Sequence, residues 1–129
     1  MPGPLDGILV LDFTTLLPGP LATLMLAEAG AEVIKIERAG SGDDMRHWPP
    51  RWGTDNAGFA LLNRGKQSIA LDLKRAEDRA RLAPLIIRAD VVVEQFRPGV
   101  MDRLGLGPEA LAAINPRLVY CSITGFGQT

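Results

Sequence analysis

Five short apolar runs limit what this chain can fold into. They are ILVLDF at 8–13, EVIKIE at 32–37, SIALDL at 68–73, DVVVEQF at 90–96 and LVYCSITGF at 118–126. ILVLDF carries no polar alternation, the mark of a strand covered on both faces. Helical punctuation separates the runs. PLATLMLAEAGA has Pro20 suited to the first helical position and Gly30 suited to the position just past the end. Its apolar residues run nearly all round, as in a buried helix. FALLN reads as a helical turn before a tight turn at Arg64-Gly65, and RAEDRARLAPLIIRA as a helix kinked at Pro84. A further short helix begins near Pro108. Strands alternating with helices predict an α/β fold, Rossmann-like and doubly wound, on a mainly parallel sheet. The last run has no helix after it to cover it. The expected domain is therefore incomplete, the N-terminal part of a larger one.

The 129 residues suffice for one domain with a core, and 47% of them are hydrophobic against 22% charged. That profile excludes a disordered or collagenous chain. No apolar run approaches the ~20 residues of a membrane span, and MPGPLDGILVLDF has no basic leader region, so neither a membrane nor an export signal is expected. A net charge of −1 argues against nucleic acid as a partner. The single cysteine, Cys121, excludes an internal disulfide and fits a reducing cytoplasm. Its mid-strand position reads as a small core residue. One histidine and one cysteine cannot build a zinc site, and no metal is expected.

Four cations fall just beyond strand ends or in turns: Arg38, Lys74, Arg97 and Arg103. In a parallel sheet those ends share one edge, where phosphates are held, and guanidinium groups suit phosphate through paired charge-assisted bonds. Each alone reads equally well as solvated surface; the set favours a ligand. Asp12 and Asp72, also near strand ends, are placed to orient such cations. Pro-Gly-Pro at 18–20 closes the first loop at a helix start, either a plain tight turn or a backbone anion site. Residues 39–58 form a long loop rich in glycine, proline and aspartate. Within it Trp48 and Trp52 are expected to pack the loop down, His47 to sit at the surface, and Asp43 and Asp44 to solvate it. No Ser-His-Asp or Cys-His constellation emerges. Glu37 stands where a dinucleotide-binding domain keeps its ribose acid, yet TTLLPGPLA lacks the G-x-G-x-x-G turn. NADP binding is the weaker reading.

The runs PLDGILVLDFT, AEVIKIER, GSGDDMR, NRGKQSIALDLK, ADVVVEQFRPGVMDRLGL and INPRLVYCSITGFGQT, taken in order, resemble the N-terminal part of the class III CoA-transferases. That family includes formyl-CoA transferase, carnitine CoA-transferase and alpha-methylacyl-CoA racemase. The resemblance implies coenzyme A or acyl-CoA as substrate with no tightly bound cofactor, a carboxylic acid as second substrate, and an interlocked homodimer. It implies coenzyme A contacts from Leu17, Pro18, Arg38, Leu71, Asp72, Leu73, Lys74, Gln95, Phe96, Arg97 and Arg103. It also implies that the catalytic aspartate of the transferases, or the His and Asp of the racemases, follows the GFGQ loop, so that no catalytic residue is expected here. GSGDDMRHW and the long loop after it look more like the transferases.

Overall fold

The computed structural model describes residues 2–129. β1 (Leu9–Asp12) leads through a loop to α1 (Pro18–Glu28) and back to β2 (Glu32–Arg38). A short helical turn (Asp44–His47) and a small antiparallel pair, β3 (Arg51–Trp52) with β4 (Asp55–Asn56), precede α2 (Ala57–Asn63). The long loop predicted at 39–58 is thus largely structured. β5 (Gln67–Leu71), α3 (Ala76–Arg88), β6 (Val91–Glu94), α4 (Val100–Arg103), α5 (Pro108–Ile114) and β7 (Val119–Ser122) complete the chain.

The five long-range strands form one sheet in the order β5-β2-β1-β6-β7, and every pairing is parallel. The order reverses between β1 and β6, where a doubly wound sheet opens a crevice for ligands. Both faces are covered. Leu9, Leu11, Ile34, Ile36 and Val92 join Leu82, Ile86, Met101 and Leu111 in the main core, between the sheet and α3, α4 and α5. Val10, Val33 and Val93 point the other way, toward Leu26 and Ala27 of α1. Burying each such side chain is worth roughly 1.5–3 kcal/mol.

The α1 helix begins at Pro18, so Pro18 and not Pro20 takes the first helical position. A proline there gives up an N–H that would be unpaired anyway. The helix ends as expected at Gly30, with φ of 108°. The Gly30 N–H donates to Ala27 O and the Ala31 N–H to Leu26 O, each at 3.0 Å, closing the carbonyls of the last turn. Pro84 lies inside α3, and α5 starts at Pro108 as the sequence indicates.

The sheet's last strand differs from expectation in one respect. Leu118 and Tyr120 pack on the main core, but Cys121 is exposed and Val119 is 60% exposed. Cys121 is therefore not a core residue here: alternation turns it to the face that α1 does not reach. Trp48 and Trp52 likewise do not pack the loop down, being 50% and 84% exposed. Phe59 meets the loop instead, with the Arg46 guanidinium over its ring at 3.7 Å. Among the described residues no helix is long and apolar enough to cross a membrane, and no group of three or more His, Cys, Asp or Glu comes together.

Candidate functional site

The carboxyl ends of β1, β2, β5 and β6 surround a cavity of about 240 Å³. Phe13, Ile36, Leu71, Leu73, Phe96, Val100 and Leu104 make its walls apolar, while Arg38, Lys74, Asp72, Thr15 and the buried Glu37 supply its polar groups. The two cations stand on the β2 and β5 side, and Phe13, Thr15 and Phe96 on the β1 and β6 side. That is a slot with a charged end and a greasy end, large enough for part of a large ligand and not the whole.

Arg38 is 64% exposed and lies 3.5 Å from Asp44, which is itself half exposed. A pair of that kind is weak, so the guanidinium remains available to an anion. Lys74 is exposed, and its turn is fixed locally: the Lys74 N–H donates to Asp72 Oδ1 at 3.0 Å and the Asp72 N–H to Asp78 Oδ2 at 2.8 Å. Asp72 thus orders the backbone around Lys74 rather than its ammonium group.

The other sequence-derived positions fall around this slot. Arg97 lines a neighbouring groove of about 300 Å³ with Glu94, Tyr120 and Ser122. Arg103, on α4, borders a separate groove of about 500 Å³ against Ala76, Arg79 and Ala83 of α3. Leu17 and Pro18 are exposed at the end of the β1–α1 loop, outside the cavity wall. Gln95 turns inward: its Nε2 donates to Thr15 O at 2.8 Å and to Thr15 Oγ1 at 3.2 Å. Arg38, Leu71, Asp72, Leu73, Lys74 and Phe96 are therefore brought together, and the remainder are not in that wall.

Beneath the slot, on the α1 face of the sheet, lies a buried polar cluster. Lys66 Nζ is within bonding distance of Asp12 Oδ2, Pro20 O, Thr23 Oγ1 and Asn63 Oδ1, at 2.8 to 3.2 Å. Burial pushes this lysine's pKa down, partly opposed by Asp12. Asp12 also accepts from the Thr14 and Thr23 hydroxyls at 2.5 Å. Lys35 Nζ pairs with Asp43 Oδ2 at 2.8 Å and donates to Thr14 O at 2.9 Å. Asp12 does orient a cation, as expected, but that cation is Lys66. Asp43 is fully buried rather than solvating the loop.

Glu37 is committed as well. It accepts from the Asp43 N–H at 2.8 Å, from Arg46 Nε and Nη2 at 2.8 and 2.7 Å, and from the Ser68 hydroxyl. Burial alone would raise its pKa. The bonds from Arg46, Ser68 and the Asp43 backbone outweigh it and hold the carboxyl at about 2. A carboxylate with its acceptors so occupied offers nothing to a ribose, which removes the dinucleotide cue. His47 sits at the surface, its Nε2 donating to Ser41 O at 2.8 Å.

The buried cluster went unread in the sequence. A signal existed: Lys35 and Glu37 stand two apart in an otherwise apolar strand, so one face of that strand must bury charge, and buried charge requires a partner. Glu94, buried at the end of β6 with its Oε2 accepting the Phe96 N–H, carried the same signal.

Residues 5–129 match the family described as CoA-transferase family III. The chain is 54% identical to an acetyl-CoA:oxalate CoA-transferase of Acetobacter aceti, over 98% of this chain and 33% of that relative. It is 46% identical to the human succinyl-CoA:glutarate CoA-transferase, over 98% of this chain and 29% of that relative. Among solved structures, a CAIB/BAIF family protein from Brucella suis superposes with a TM-score of 0.93 at 44% identity, covering 100% of this chain and 35% of that one. The chain spans about a third of the length of the curated relatives it matches.

Proposed function

Because this chain belongs to CoA-transferase family III, we propose that residues 1–129 are the N-terminal part of its coenzyme A-binding domain. The whole enzyme would move coenzyme A from an acyl-CoA to a carboxylic acid. The observation that carries this reading is the slot at the carboxyl ends of the strands, cationic at Arg38 and Lys74 and apolar at Leu71, Leu73 and Phe96. Its charged end suits the phosphates of the nucleotide, and Leu71 and Leu73 beside that end suit the adenine ring. Arg97 and Arg103 line two further grooves, and in this reading they add positive charge for the rest of the ligand.

This reading assigns the catalytic carboxylate to a part of the whole enzyme beyond residues 1–129. Asp12, Glu37 and Asp43 are all engaged in internal bonds and none is offered to a thioester. Two relatives carry oxalate or glutarate in their names, which supports transfer between acids over racemisation. The reading extends to an interlocked homodimer in a reducing cytoplasm, with the exposed free thiol of Cys121 consistent with that compartment.

Calorimetric titration of the full chain tests the binding role. Coenzyme A is expected to bind more tightly than its dephospho form, since the extra phosphate meets the cationic rim, and both more tightly than NADP. Preferential binding of NADP overturns the reading.

A further inference from the structure

Three consecutive residues of the β1–α1 loop are held by side chains from three other places in the chain. Lys35 of β2 donates from Nζ to Thr14 O at 2.9 Å. Gln95, just past β6, donates from Nε2 to Thr15 O at 2.8 Å. The Leu16 N–H donates to Asp43 Oδ1 at 3.0 Å. Leu16 has a φ of 64°, a left-handed conformation that a branched apolar residue seldom adopts. Such a conformation persists where its surroundings over-determine it, and here the three bonds do so.

The placement of these bonds is informative. Gln95 reaches from the end of β6 to the loop after β1, across the point where strand order reverses. Thr15, the residue it holds, belongs to the wall of the slot at the end opposite Arg38 and Lys74. The amide orientation is fixed by chemistry, because a carbonyl partner demands the NH2 side. Gln95 Oε1 is left buried without a partner. It lies against Gly19, where a β-carbon would come within 2.5 Å of that oxygen and also overlap Thr14. The α1 backbone therefore presses directly on this brace.

We propose that Gln95, Lys35 and Asp43 are positioning residues that hold the β1–α1 loop as a rigid wall for the non-nucleotide arm of coenzyme A, while Arg38 and Lys74 take the nucleotide. The proposal rests on the coenzyme A reading above. It reassigns Gln95 from a ligand contact to a support acting through Thr15.

The test compares coenzyme A with adenosine 3′,5′-bisphosphate, which carries only the nucleotide end. Both are titrated into the full chain and into Gln95→Met, which keeps the length of the side chain and removes its donor. The variant is expected to lose about tenfold in affinity for coenzyme A and less than about twofold for the bisphosphate, as two hydrogen bonds are lost at one end only. Equal losses for both ligands, or no loss for either, overturn the proposal. If the unaltered chain binds neither ligand, the coenzyme A reading falls and takes this proposal with it. The double variant Lys35→Met with Asp43→Asn removes both buried charges together while keeping an acceptor for the Leu16 N–H. It is expected to show the same selective loss, and it decides the matter should Gln95→Met not fold.

Discussion

The cations of this protein occupy two contrasting regions. Lys35 and Lys66 lie beneath the ends of the strands with side chains 1% exposed, each matched to an aspartate of 0% exposure and to further acceptors. Arg38 and Lys74 lie above those ends, open to solvent and held by little. An ammonium ion taken out of water must recover its hydration from fixed neighbours, so the interior lysines are spoken for by the scaffold. A cation on the rim keeps its water and can exchange it for a phosphate. Position on the sheet edge alone does not leave a cation free for a ligand; the absence of a buried internal partner does.

This contrast can be broken or sharpened by experiment. The largest effect is expected from Lys66→Met, which strands Asp12 as an unpaired buried charge. A loss of roughly 3–5 kcal/mol is expected in urea unfolding, comparable with the whole stability of a marginal domain. The double variant Asp12→Asn with Lys66→Met should recover much of it. A Lys66→Met chain of unchanged stability would mean that the interior and rim lysines are equivalent after all.

A second, smaller effect concerns pH. The Glu37 carboxyl sits at about 2 when folded, against an ordinary value of 4.5. A group whose folded pKa is depressed contributes stability above its unfolded value and loses it as pH falls toward the folded one. Stability is therefore expected to fall between about pH 4.5 and pH 2, by on the order of 2–3 kcal/mol after allowing for solvent screening at the partly exposed Arg46. Glu37→Gln should flatten that part of the acid-unfolding profile. A profile unaltered by the substitution would place the acid sensitivity elsewhere.

The smallest effect on stability is expected on the rim. Lys74→Ala should leave the urea midpoint where it is and weaken coenzyme A about tenfold through loss of one charge-assisted contact. A shifted midpoint with unchanged binding would reverse the roles assigned to the two regions.

The fold was largely legible because its signals are local. The apolar runs mark all five strands of the main sheet to within a few residues, and Gly30 and Pro108 mark a helix end and a helix start. Pro20 misled because two prolines flank Gly19 and either suits a first helical turn; the chain uses Pro18. Cys121 misled because nothing within residues 1–129 packs over its side of β7. Around the slot, Lys74 and Asp72 were legible as charged groups beside a strand end, whereas Leu71 and Leu73 follow only from the family resemblance. The interior cluster's pairings were legible in neither way. Lys66 meets Asp12 across 54 positions and Gln95 meets Thr15 across 80.

By itself, then, the sequence determined the succession of elements and the composition of the strand ends, since propensity, hydrophobic period and turn chemistry act over a few residues. Only the tertiary structure decided which charged residues are buried and paired and which remain free on the rim. That division depends on strand order and on the parity of each residue along its strand, and no short window of sequence contains either.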